Sequence, residues 1–189
     1  MLDKTKPTVI NGVNVNDVAA LIEKVAGDPE AGMTSWKVKS AWQGGTHNRS
    51  TVSSFFIGGE EVKRDFALDV DEPLELGGTN RFANPQEYLL AALNSCMMVG
   101  YVALCSLQGI RLDSLEIDVE GDIDLRGFFG LDEKVAPGYE RLFYTVRIKG
   151  DASPEDFEKI HQAVMKTSPN YYNVSRAVSL NAKLVASQS

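Results

Sequence analysis

The sequence predicts an α+β fold with mainly antiparallel pairing. Three observations carry this. Strand-like and helix-like stretches are segregated, in the order helix, three strands, long helix, two strands, helix, strand. Several stretches alternate with period two. One segment, from Asn84 to Gly109, has no charged residue between Tyr88 and Gln108 and reads as a single buried helix.

Taken in order, Asn14 to Ala26 places Val15, Val18, Ala19, Ile22 and Val25 at helical spacing, and Gly27-Asp28-Pro29 ends the helix. Residues 28–33 read as a linker, so residues 1–33 form an N-terminal helical extension. Then the period changes. Trp36, Val38 and Ser40 alternate with Lys37, Lys39 and Ala41, which suits a half-buried strand. Gly44-Gly45 turns the chain, 51–57 is a second strand, Gly58-Gly59 is a hairpin turn and 61–70 is a third strand. Together they make a three-stranded antiparallel meander.

The central helix has explicit boundary signals. Asn84 is an N-cap, Pro85 suits the first helical position and Glu87 stands at the capping-box spacing. Gly109 supplies the left-handed stop. A helix from Pro85 to Gln108 is roughly 36 Å long at ~1.5 Å per residue. A membrane span is the rival reading, because the run has about the length a bilayer needs. Asn94, Ser95, Gly100 and Ser106 dilute it, and no Lys/Arg cluster flanks it, which favours a core helix.

Beyond Gly109, Leu112 to Leu125 alternates between an apolar face and a row of carboxylates. We read that row as a solvated sheet face rather than a metal site, because no glycine-turned loop gathers it around an ion. The loop that follows carries Phe128 and Phe129, read as ordinary packing residues. Tyr139 to Lys149 is the next strand. Ser153 caps a helix with Pro154 at its first position, and His161 on that helix reads as a surface or interface residue. Val178 to Val185 is the final strand.

Composition narrows the function classes. The net charge of −7 argues against nucleic acid or an anionic membrane as main partner. The opening residues lack a long apolar signal core, so a cytoplasmic location is expected. His47 and His161 lie far apart and no CxxC, HExxH, Walker or G-x-S-x-G pattern occurs, so neither a metal nor a cofactor is expected. The two cysteines, Cys96 and Cys105, are nine residues apart on one helix. That spacing gives ~13 Å of rise, too far for a disulfide. From composition and spacing alone, the chain is an α+β domain without an assigned activity.

The segment N-P-Q-E-Y-L-L-A-A-L-N-S-C adds a resemblance. It is similar to the N-P-x-E-L-hydrophobic-A-A-x-x-x-C signature of the OsmC/Ohr family of thiol peroxidases. The likeness continues through G-I-R-L-D-S-L-E-I-D-V-E-G to T-S-P-N-Y-Y-N-V, over roughly residues 34 to 185. The resemblance implies an OsmC-like domain over 34–189. It also implies an intertwined homodimer with long central helices back to back and active sites built from both chains.

In that family the helix cysteine attacks a hydroperoxide, a second cysteine resolves the product, and an arginine and a glutamate assist. Cys96 matches the attacking position. The resolving position falls on Ser168 and the glutamate's position on Gln86. Arg49, about three positions out of register, and Arg81, just before the helix, are the candidates for the arginine. The resemblance therefore implies a thiol-dependent peroxidase that reduces organic hydroperoxides through one cysteine. Its oxidised form would need an external thiol, or Cys105 of the other subunit. A divergent relative binding an apolar small molecule is the alternative. Acyl hydrolysis by Cys96 is a third and weaker idea, since neither histidine supplies a positioned base.

Overall fold

The computed structural model describes residues 8–188. It opens with a hairpin the sequence reading did not separate, β1 (Val9–Ile10) with β2 (Val13–Asn14). Its turn is Asn11-Gly12, both at positive φ (51° and 79°), the chemistry a tight hairpin demands. Asn14 then caps α1 (Val15–Gly27), accepting from the Asn16 amide at 3.2 Å. The expected linker is a 3₁₀ turn, Pro29–Gly32, capped by Asp28.

Asn11 and Ser106 both tie the extension to the main body, Ser106 Oγ donating to the Ile10 carbonyl at 3.0 Å. Asn11 Nδ2 donates to the Ile110 carbonyl at 2.9 Å, and Asn11 Oδ1 accepts from the Leu112 amide at 2.9 Å. Those groups belong to the turn that follows the central helix.

The expected meander is present, with its first strand broken. β3 (Thr34–Trp36) and β4 (Lys39–Gly44) share one edge of β5 (His47–Ile57), and β6 (Glu60–Val70) pairs with the other edge. Trp36 pairs with Phe55 and Lys39 with Thr51, so three steps on one side face four on the other. The break at Lys37-Val38 absorbs that one-residue slip.

The central helix, α2 (Pro85–Leu107), follows its signals closely. The Glu87 amide donates to Asn84 Oδ1 at 2.9 Å, and the Asn84 amide donates to Glu87 Oε2 at 2.7 Å. A cap of this kind contributes ~1 kcal/mol. By length and composition α2 could cross a membrane, with a mean hydropathy of 1.7. It is nevertheless built into a folded domain. Leu93, Met97, Tyr101 and Cys105 form one core with Ile117, Ile160 and Val164.

β7 (Leu112–Glu120) pairs antiparallel with β8 (Phe143–Gly150). Both are shorter than their alternation suggests. The ladder closes at Glu120 opposite Phe143. Asp124 then caps a single helical turn, α3 (Leu125–Phe128), which takes Leu125 out of the strand. Phe128 and Phe129 are exposed, edge to face at 5.0 Å, rather than packed into the body. On the outer face Asp118 bonds Arg147. Among the described residues no group of three or more His, Cys, Asp or Glu is arranged to hold a metal.

α4 (Pro154–Thr167) has the expected Ser153 cap. A helix the sequence reading missed, α5 (Pro169–Ser175), starts at once from Ser168. Its Ser168-Pro169 start repeats the Ser153-Pro154 signal. The expected strand Val178–Val185 does not form, and the segment lacks ladder partners. Its alternation is real, but a strand needs a neighbouring edge, and in this chain Leu180 and Leu184 are each 90% exposed.

The connection between β6 and α2 is organised by a buried carboxylate. Asp71 accepts from Thr46 Oγ1 (2.6 Å), the Thr79 amide (2.9 Å) and Thr79 Oγ1 (2.5 Å). The hydrogen bond from Thr46, then those from Thr79, hold its carboxyl well below the usual range. A group depressed by folding stabilises the fold above its unfolded value, ~3.9 for Asp, and loses that contribution as pH falls through its folded value. Asp71→Asn is therefore expected to lower the urea midpoint near neutrality. It should also flatten the acid side of the wild-type stability curve. Equal midpoints for the two proteins at pH 7 would contradict this.

Candidate active site

Cys96 lies on the fourth turn of α2 and is half-buried. The α4–α5 junction delivers its partner. Ser168 ends α4, its amide donating to the Val164 carbonyl at 2.8 Å, and caps α5. Its hydroxyl sits 3.4 Å from Cys96 Sγ and donates to it. Ser168 is buried, and the same oxygen accepts from the Tyr171 amide at 3.4 Å, which orients it. Asn170 Nδ2 donates to the Ala92 carbonyl at 2.8 Å and ties α5 to the same helix one turn earlier. Positions 72 residues apart are thus joined, and the place expected for a resolving thiol does touch Cys96.

The other sequence candidates fall elsewhere. Gln86, in the first turn of α2, lines a cavity of about 710 Å³ between α2, α5 and the approach to β8. Leu89, Leu93, Tyr144 and Tyr171 supply its apolar wall, and Arg141 reaches it. Sequence reading missed Arg141, which no motif marks, and Tyr171, which the Ser-Pro signal at 168–169 could have placed. Arg49, on β5, is committed to Asp69 at 3.2 Å. Asp69 also bonds His47 Nε2 at 2.9 Å, and the His47 ring stacks on Phe82. The Arg81 guanidinium lies over that same Phe82 ring, 5.5 Å from its centroid. Among the described residues, the hydrogen bond at Cys96 comes from Ser168, and neither arginine bonds the sulfur.

Cys105 differs from Cys96 in exposure. It is 0% exposed within its own chain. Burial pushes its thiol titration up, so the neutral, unreactive form is favoured. His161, expected as a surface or interface residue, is of intermediate exposure. Its Nδ1 is bonded to the hydroxyl of Tyr101 in the core.

These features define a class of protein: an α+β domain built around one apolar helix that holds a half-buried free thiol bonded by a buried hydroxyl. The family model described as OsmC-like protein matches residues 78–183, and the chain belongs to that family. A relative is the uncharacterized protein YmaD of Bacillus subtilis (strain 168), 24% identical over 150 residues, covering 78% of this chain and 88% of the relative. The fold is similar to a crystal structure of an OsmC-like protein from Mycoplasma pneumoniae (TM-score 0.59, 13% identity, 75% of this chain and 87% of that one). It is also similar to an organic hydroperoxide resistance protein OsmC from Legionella pneumophila (TM-score 0.50, 16% identity, 74% and 88%).

Proposed function

We propose that this protein is a thiol-dependent peroxidase that reduces organic hydroperoxides through Cys96 alone. The observation that carries the reading is the Ser168 hydroxyl donating to Cys96 Sγ at 3.4 Å, in a family with a hydroperoxide resistance protein among its members. A hydroxyl donor bonds an anionic sulfur more strongly than a neutral one. The thiolate attacks a peroxide oxygen, the O–O bond breaks, and the alkoxide leaves and is protonated to an alcohol. Cys96 becomes a sulfenic acid. An external thiol condenses with it, releasing water, and a second external thiol displaces the first as a disulfide and restores Cys96. Ser168 cannot form a disulfide and Cys105 is enclosed by its own chain, so both electrons come from outside.

Stopped-flow mixing with cumene hydroperoxide tests this. One sulfenic acid per chain is expected, and turnover only with an added small thiol. A second reading, an apolar-ligand binding protein, is favoured by the largely apolar wall of the Gln86 cavity. It predicts unoxidised Cys96 in the same experiment.

The reading includes a cytoplasmic homodimer. Support comes from the apolar surface that one chain leaves uncovered: Leu89 (42% exposed) and Val99 (69%) on α2, with Leu180 and Leu184 beyond α5. Large apolar side chains exposed in this way on a single chain are what a partner surface would cover. A second copy, rather than lipid or nucleic acid, covers it. Sedimentation velocity should give twice the chain mass across the micromolar range, and a monomer there would refute the dimer.

A further inference from the structure

A separate cavity of about 800 Å³ lies between β8 and α4 and reaches down to Tyr101 of α2. Cys96, Ser168 and Gln86 take no part in it. Tyr144 is the wall it shares with the Gln86 cavity. Val146, Ile148 and Phe157 supply its apolar lining, Asp113, Lys149 and Glu158 stand among its lining residues, and Tyr101 and His161 form a polar pair within it. There the Tyr101 hydroxyl meets His161 Nδ1, with the two rings 15° from coplanar.

That pair is not what packing alone would select. Tyr101 is 1% exposed, and a phenylalanine would fill the same core without desolvating a hydroxyl. Burial first, then the neighbouring Tyr144, push the Tyr101 phenol above its ordinary range, so it keeps its proton and is able to donate it to Nδ1. An imidazole that accepts at Nδ1 carries its own hydrogen on Nε2. Nε2 has no acceptor among the described residues and is not among the buried unpartnered atoms. With Tyr101 as the donor, His161 carries its hydrogen on Nε2 and presents one N–H at a cleft that combines apolar and polar side chains, a make-up suited to a small molecule.

We propose that this cleft is a second ligand site, for a small neutral molecule with an apolar or aromatic body and one carbonyl oxygen that accepts from His161 Nε2. Charge on the ligand gains little. Asp113, Glu158 and Lys149 all border the cleft, and Glu158 is already bonded by Gln162 at 2.7 Å. Ligand size follows from the apolar span between Phe157 and Ile148.

The test uses the full chain and the imidazole NMR signals, which are simple because the chain has two histidines. Acetophenone is titrated beside benzoate and benzylamine, similar rings that differ in charge. Acetophenone is expected to shift the His161 resonances and leave those of His47 in place. His161→Leu, with its fold checked by circular dichroism, should weaken acetophenone binding by about tenfold, the scale of one lost hydrogen bond to a preformed donor. Tyr101→Phe, with its fold checked by circular dichroism, should weaken it through the released tautomer. Unmoved His161 signals at saturating acetophenone would overturn the site. Tighter binding of benzoate or benzylamine would overturn the neutral ligand class. None of these outcomes depends on Cys96 chemistry.

Discussion

Cys96→Ser is expected to abolish peroxide-dependent thiol oxidation, lowering turnover by at least ~10³-fold, because the attacking atom itself is removed. The fold should tolerate the change. Cys96 is half-buried, serine is nearly isosteric, and the Ser168 hydroxyl can still donate to the new oxygen. The measurement is cumene hydroperoxide reduction with a small thiol in excess, with the melting curve recorded alongside. The same assay on Cys105→Ser separates the two thiols. Cys105 is fully enclosed in the core, so activity should survive its loss while stability falls. Undiminished turnover in Cys96→Ser would end the peroxidase reading.

Ser168→Cys is expected to change how the oxidised state is resolved. The hydroxyl oxygen already lies 3.4 Å from Cys96 Sγ, at the junction between α4 and α5. A sulfur in its place needs only a small adjustment to reach the ~2.05 Å of a disulfide. Peroxide should then drive Cys96 to a sulfenic acid that the new thiol captures, with release of water. Free thiols per chain should fall from three to one, since the wild type has two cysteines and the variant adds one. Wild type treated alike should form no bond within the chain. A dithiol reductant should become the better partner of the variant, since it reopens a disulfide without leaving a mixed one. Three free thiols after oxidation would mean that Cys96 and position 168 do not meet in solution, and the geometry assigned to the site would fall.

Several parts of the site were legible before any coordinates. Asn84, Pro85, Glu87 and Gly109 mark the ends of α2 because caps and stops are local chemistry, decided within a few residues. The alternating stretches announced strands for the same reason, since period two depends only on the backbone. Strand length was less legible, because a ladder ends where its partner ends. Glu120 stops opposite Phe143 although the alternation runs on to Leu125.

The arginine assignment shows another limit. Arg49 and Arg81 were selected by nearness in sequence to family positions. In the fold, Asp69 holds one and Phe82 lies beneath the other, while Arg141 reaches the cavity from a loop that no motif marks. A long cation is directed by whichever anion or ring it meets, and that is settled by packing.

By itself, the sequence determined the α+β class, the central helix with its caps and the position of Cys96. These follow from periodicity and from short patterns that act over one or two turns. Tertiary structure decided what surrounds Cys96. It brought Ser168 to the sulfur across 72 residues, enclosed Cys105, and joined His161 to Tyr101 across 60. It also left 178–185 without a strand partner. Such contacts depend on how separate elements pack, and no local pattern encodes the distance between side chains on different helices.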